Sequence, residues 1–137
     1  MSIVIRSYQR QDNHQVIALW KKCGLVVPAN DPQNDIDSKV QVGRELFLIG
    51  LEKNEIVASV MGGYEGHRGW INYLAVDPLC QGNGYGRNMV EAVESLLLAK
   101  GCPKVNLQVR TGNTKVLDFY RRLGYQCDDV VSLGKRL

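Results

Sequence analysis

Histidine is scarce, with two residues in 137, and only four cysteines accompany it: Cys23, Cys80, Cys102 and Cys127. No two of these cysteines have Cys-x-x-Cys spacing, so no metal site is expected. A disulfide framework is not expected either, because the chain is not short and carries no signal-peptide pattern. No apolar run approaches the length of a membrane span, and no Asn-x-Ser/Thr acceptor occurs. The cysteines are expected as reduced, mostly buried thiols in a cytoplasmic protein. Charge of one sign is also lacking: 17 basic residues face 14 acidic ones, for a net +3. The basic residues are scattered, with short pairs such as Lys21-Lys22 and Arg121-Arg122, and this excludes a nucleic-acid footprint.

What is present is ordinary for a globular chain, at 45% hydrophobic and 23% charged. The length fits one domain over residues 1–137, able to bury a core without disulfides or metals. There is no repeat, low-complexity tract or linker. A homodimer is compatible with the sequence, which does not fix the oligomeric state.

The periodicity predicts a first strand over residues 3–8. Asp12 and Gln15 stand at N-cap and N3 spacing before a helix that carries Val16, Ile17, Leu19, Trp20 and Cys23 and stops at Gly24. Residues 25–35 read as a loop, and Pro32 opens a second helix with Ile36 and Val40 inward. Residues 46–51 and 56–64 flank Glu52-Lys53-Asn54-Glu55 as a hairpin, and 70–76 is the next strand. Residues 87–100 form an amphipathic helix with Met89, Val93, Leu96, Leu97 and Lys100 on one face, ended by Gly101 and Pro103. Residues 104–110 alternate as a strand. Asn113 caps a helix bearing Val116, Leu117, Tyr120 and Leu123, and residues 125–133 close the chain as a strand. The expected fold is α/β (α+β), a mixed sheet of six or seven strands with about four helices on both faces.

Between strand and helix lies Gln81-Gly82-Asn83-Gly84-Tyr85-Gly86. Glycine permits positive φ and close approach of backbone to a ligand. The first amides of a helix have no internal partner, and with the helix dipole they form an anion seat. This suits a pyrophosphate. A dinucleotide fold would need a third glycine where Arg87 stands, and would place the motif after the first strand. A Walker A loop would need Gly-Lys-Ser/Thr. A kinase glycine loop joins two strands, whereas this one opens a helix. A connection that binds nothing would not need three alternate glycines.

With these residues in place, the chain resembles the GNAT superfamily of N-acetyltransferases. The motif Gln/Arg-x-x-Gly-x-Gly/Ala is matched by residues 81–86. Leu74-Ala75-Val76-Asp77-Pro78, Leu107-Gln108-Val109-Arg110 with Asn113, and Phe119-Tyr120-Arg121-Arg122-Leu123-Gly124-Tyr125 follow the superfamily's pattern in order. Asn30-Asp31-Pro32 with Asp35-Ile36, and residues 63–70, resemble a bacterial subgroup. The ribosomal-protein alanine acetyltransferases are similar at greater distance.

The resemblance implies acetyl-CoA as co-substrate and an amine acceptor; from composition and spacing no nucleic acid, membrane or metal partner is expected. It implies that the backbone of Leu74, Ala75 and Val76 aligns the acyl arm. It gives the pyrophosphate to Gly82, Asn83, Gly84, Tyr85, Gly86 and Arg87, with Gln81 opening the motif. Asn113 is implied at the pantetheine arm and Tyr120 as general acid. By its helical spacing alone, Tyr120 reads as core packing. The usual carboxylate positions of the base hold Gln108 and Asn72, and an amide cannot take up a proton at neutral pH. Glu65 and His67 are the nearest titratable residues, and a water chain is equally open. Asp31, Asp35 and Asp37, with Tyr64, Glu65, His67 and Arg68, are expected to wall the acceptor pocket. Their carboxylates and aromatic ring suit a cationic amine. A small-molecule amine is therefore the leading expectation. A protein N-terminus and a non-catalytic coenzyme A sensor are the alternatives.

Overall fold

Four strands pair with their immediate chain neighbours, and a fifth joins by a crossover. The computed structural model describes residues 2–137. Its elements are β1 (Val4–Ser7), α1 (Asn13–Lys22), α2 (Pro32–Gly43), β2 (Phe47–Glu52), β3 (Glu55–Tyr64), β4 (Gly69–Val76), α3 (Tyr85–Ala99), β5 (Val105–Asn106) and α4 (Thr114–Arg122). Strand order is β1-β2-β3-β4-β5, antiparallel as far as β4, with β5 parallel to β4. The chain divides into a unit ending at Leu107 and a smaller one, Gln108–Leu137.

The β2–β3 hairpin closes where the turn residues allow it. Lys53 and Asn54 lie at φ 51° and 68°, between the paired Glu52 and Glu55. Two left-handed residues give the turn whose twist matches the flanking strands.

Helices cover both faces of the sheet. On one face Val16, Leu19 and Trp20 of α1 and Ile36 of α2 pack with Phe47, Ile49, Met61 and Ala75. On the other, α3 approaches over glycines. A Cβ at Gly62 would meet Val93 Cγ2 at 2.4 Å, one at Gly50 would meet Met89 Sδ at 3.0 Å, and one at Gly69 would meet Leu97 Cδ1 at 3.3 Å. Met89, Val93 and Leu97 follow at i, i+4 and i+8, one stripe of the helix. Valine is stiff at χ1 and cannot swing away. Gly62→Ala is expected to lower stability by about 1–3 kcal/mol in urea unfolding. Adding Val93→Ala should return part of that loss; losses that simply add would mean the two sites do not touch.

Several expectations need correction. The sheet has five strands among the described residues, not six or seven. The strand expected over 104–110 is reduced to Val105–Asn106, and residues 125–133 form no strand, leaving Val130, Val131 and Leu133 exposed. Alternation of apolar residues is a local signal, whereas a strand exists only where a distant backbone pairs with it. Asp12 does not cap α1 with its side chain. It is buried and takes both nitrogens of the Arg6 fork at 2.7 and 3.0 Å, together with the Gln9 amide at 2.8 Å. Burial works against its charge, but Arg6 and the Gln9 amide hold its carboxyl below the ordinary range. Val40 and Leu96 are exposed, because the stripes that meet the sheet are narrower than the apolar periodicity. Cys127 is exposed, Cys23 and Cys80 are half-buried, and Cys102 is buried.

Candidate functional site

The glycine turn leads from β4 straight into the start of α3. After β4, Asp77 accepts the Leu79 amide at 3.0 Å and starts a short 3-10 turn, Pro78–Cys80. Asn83 Nδ2 donates to Cys80 O at 3.1 Å, which tightens the loop. Gly82 and Gly84 stand at φ +88° and +80°, conformations that favour glycine. A Cβ at either position would meet nothing within 4 Å, so open space lies over both. α3 starts at Tyr85, two residues earlier than expected. The Asn88 amide donates to Gly84 O at 3.1 Å, opening the intrahelical series. The amides of Tyr85, Gly86 and Arg87 therefore have no partner within the helix. The cap residue Gly84 has no side chain to offer, and no acidic residue stands in the first turn. A 15-residue helix thus presents its positive end bare, with exposed Arg87 beside it.

Tyr85 opens α3. Its side chain is buried and its hydroxyl donates to Glu52, the carboxylate that holds the phenol up to about 12. This bond ties the start of α3 to the β2–β3 hairpin. Gln81 is exposed and donates to Val76 O at 3.3 Å, and Cys23 Sγ donates to the same carbonyl at 3.3 Å. Val76 therefore keeps only its N–H for other partners, and burial pushes the Cys23 thiol up.

β4 carries an irregularity that the sequence did not announce. Asn72 pairs with Met61 and Ala75 with Ser59, so three steps along β4 span two steps along β3. This is a bulge. Tyr73 sits in it at φ 52°, in the left-handed region. The bulge reverses the alternation: Gly69 faces α3, yet Tyr73, an even four residues on, stacks on Trp20 of α1 with ring centroids 3.9 Å apart. On its other edge β4 pairs with β5 only at Gly69 and Trp70. From Ile71 to Val76 no described strand lies on that edge, and the run leads directly into the glycine turn. A strand edge followed by a bare helix start suits a ligand with an extended amide arm and a pyrophosphate.

Trp20, Ser59 and Tyr73 were not singled out for this site by sequence reasoning. Ser59 was the legible signal, a polar residue inside the apolar run 56–61. Trp20 Nε1 donates to Ser59 Oγ, and Ser59 Oγ donates to Tyr73 O, both at 2.9 Å. Burial, then the hydrogen bond to Asp35, push the Tyr73 phenol up to about 12.

The residues expected to wall an acceptor pocket are largely engaged within the chain. Asp31 caps α2, accepting the Asn34 amide at 3.0 Å, and Asp37 accepts from Gln33 at 3.0 Å. Asp35 accepts from the Tyr73 hydroxyl at 2.6 Å, which brings α2 to the bulge. Glu65 Oε1 accepts the amides of His67 and Arg68, and these hold its carboxyl below the ordinary range. Arg68 donates to His67 O at 3.0 Å, and the Tyr64 hydroxyl reaches Gly101 O at 3.4 Å. The 65–68 turn therefore lies at the C-terminal end of α3, opposite the glycine turn. Four strand residues, about 13 Å, separate Gly69 from the bulge. Asn72 is exposed on β4 just before it.

In the unit Gln108–Leu137, Asn113 caps α4 by accepting the Val116 amide at 3.3 Å. Gln108 donates to Ser132. Tyr120 is buried, with Phe119 and Tyr125 edge-on at 5.0 and 5.5 Å, and burial pushes its phenol up to about 12. Among the described residues no helix is long and apolar enough to cross a membrane, and no group of three or more His, Cys, Asp or Glu could hold a metal ion.

Known proteins are similar to this chain in sequence and in fold. The model of the acetyltransferase (GNAT) family matches residues 27–125. An acetyltransferase of Yersinia enterocolitica is 45% identical over 133 residues, covering 97% of this chain and 94% of the relative. Among solved structures, a putative acetyltransferase from Agrobacterium tumefaciens superposes with a TM-score of 0.80 at 16% identity, covering 98% of this chain and all of the other. AAC(6')-Iy, solved with the bisubstrate analogue CoA-S-monomethyl-acetylneamine, also gives 0.80 at 16% identity, with both chains fully covered.

Proposed function

The chain belongs to the GNAT acetyltransferase family and is an acyltransferase, and from this premise we propose that it moves the acetyl group of acetyl-CoA to the primary amine of a small molecule. The observation that carries the co-substrate is the bare start of α3 behind Gly82 and Gly84. Acetyl-CoA supplies the activated acyl group as a thioester. The amides of residues 82–87 hold its pyrophosphate, and the edge of Leu74, Ala75 and Val76 aligns its arm. A backbone N–H of that edge donates to the thioester carbonyl, as an oxyanion hole does. The family's pattern gives Tyr120 the role of general acid toward the departing thiol, and gives Asn113, which caps α4, a contact with the pantetheine arm. The whole chain, residues 1–137, works as one N-acetyltransferase domain.

The base is a water chain in this reading. Glu65 is a weakened base, since two turn amides favour its charged form, and it stands with His67 well ahead of the bulge along β4. A protein N-terminus is the second acceptor class. Release of free thiol from acetyl-CoA, followed over amino acids, polyamines, aminoglycosides and N-terminal peptides, tests both. Turnover is expected with small amines, and Glu65→Gln and His67→Ala are expected to keep the parent rate. Peptide acetylation without small-amine turnover would overturn the acceptor class. A loss beyond roughly tenfold in either variant would return the base to the turn.

A further inference from the structure

Left-handed backbone at a tyrosine costs on the order of 1–3 kcal/mol and persists only where the surroundings over-determine it. At Tyr73, three elements do so. From β3, Ser59 Oγ donates to the Tyr73 carbonyl at 2.9 Å. From α1, Trp20 holds that hydroxyl through Nε1 at 2.9 Å and stacks on the Tyr73 ring with an interplanar angle of 14°. From α2, Asp35 accepts the Tyr73 hydroxyl at 2.6 Å, and from the loop before it Asn30 Nδ2 donates to that hydroxyl at 3.4 Å. Ser59 and Trp20 have no exposed surface. A buried serine that both receives and gives a hydrogen bond has one orientation to adopt.

The direction of the next amide follows. Among the described residues no peptide bond is cis. In a trans peptide the C=O and the following N–H point to opposite sides. The Tyr73 carbonyl points at Ser59, so the Leu74 N–H points away from it. The two groups belong to one rigid plane, and whatever holds the carbonyl aims the amide.

We propose that Tyr73 is a positioning residue, clamped by Trp20, Ser59 and Asp35 so that the bulge of β4 aims the Leu74 amide at the thioester carbonyl. The proposal rests on the reading that the β4 edge takes the acyl arm. It makes α2 part of the catalytic geometry, although no residue of α2 needs to touch the thioester. Asp35 serves here as a hydrogen-bond acceptor and not as a base, so its charge is dispensable.

The test is cleavage of acetyl-CoA by water, followed as free thiol, which requires no acceptor amine. Tyr73→Phe keeps the stack and loses the tether to Asp35; kcat should fall roughly tenfold, with KM for acetyl-CoA and the thermal midpoint near the parent's. Ser59→Ala frees the carbonyl and should cost roughly 10²-fold in kcat. Asp35→Ala should behave like Tyr73→Phe, whereas Asp35→Asn keeps an acceptor oxygen and should restore the parent kcat. In NMR spectra of the parent, the Leu74 amide should shift with acetyl-CoA and not with coenzyme A; in Ser59→Ala that difference should shrink. Parent-like kcat in both Tyr73→Phe and Ser59→Ala overturns the proposal, as does a loss that falls on KM instead. Asp35→Asn as inactive as Asp35→Ala overturns it too, by making the charge essential. A parent chain that binds no acetyl-CoA would remove the functional reading itself; binding with normal turnover in every variant removes only the clamp.

Discussion

Gly84→Asp is expected to abolish acetyl-CoA binding in isothermal titration calorimetry. Two effects combine at this position. Gly84 lies at φ +80°, where an L side chain is strained by about 1–2 kcal/mol. Its side chain would also project a carboxylate beside the bare amides of Tyr85, Gly86 and Arg87, where it would compete with the pyrophosphate for the helix's positive end. Gly84→Ala separates the two. An added Cβ meets nothing within 4 Å, so Ala introduces the backbone strain alone. It should weaken binding modestly while Asp removes it. An Asp variant that binds acetyl-CoA as tightly as the parent would place the pyrophosphate elsewhere.

The second large effect is expected at Tyr120. Tyr120→Phe should lower kcat by roughly 10²-fold or more, with the affinity for acetyl-CoA unchanged. Phenylalanine keeps the ring that meets Phe119 and Tyr125, so thermal stability is a fair control for packing. The buried phenol has its pKa pushed up to about 12 from its ordinary 10. The sign is clear: burial disfavours the phenolate, so the proton is in place across the whole ordinary pH range. Any alkaline limb of kcat from this group should lie near 12 and not near 10. A thiolate near 8.5 is a weaker base than such a phenolate. Donation is therefore uphill unless the phenolate is reprotonated by the ammonium formed at the acceptor nitrogen. An unchanged kcat in Tyr120→Phe would return this residue to the core.

The parts of this chain that were legible in the sequence are those specified within a few residues. Asp31-Pro32 announces the start of α2, and the side chain of Asp31 makes the cap. Gly24 and Gly101 end their helices at φ +70° and +86°. The glycine turn is legible because positive φ and a helix start are both local properties. Tyr73 is different. Nothing in Asn72-Tyr73-Leu74 marks a left-handed residue, which arises because β3 and β4 meet out of step. Asp12 sits at cap spacing, but the Arg6 fork binds it more strongly than a helix amide would. The last strand fails for a different reason: a strand is made by its partner, and residues 125–133 pair with none among the described residues. Asp35 was read as a charge awaiting a ligand, because the sequence cannot show that a tyrosine 38 residues away already holds it.

The edge of β4 from Ile71 to Val76 has a consequence beyond chemistry. Its carbonyls at Tyr73 and Val76 are already taken, but backbone groups that no described strand pairs with remain a template for an extended chain. If the acyl arm lies along it, the co-substrate acts as its own protective cover against misassembly. Added acetyl-CoA would then slow aggregation of the protein at a fixed temperature, an effect separate from turnover.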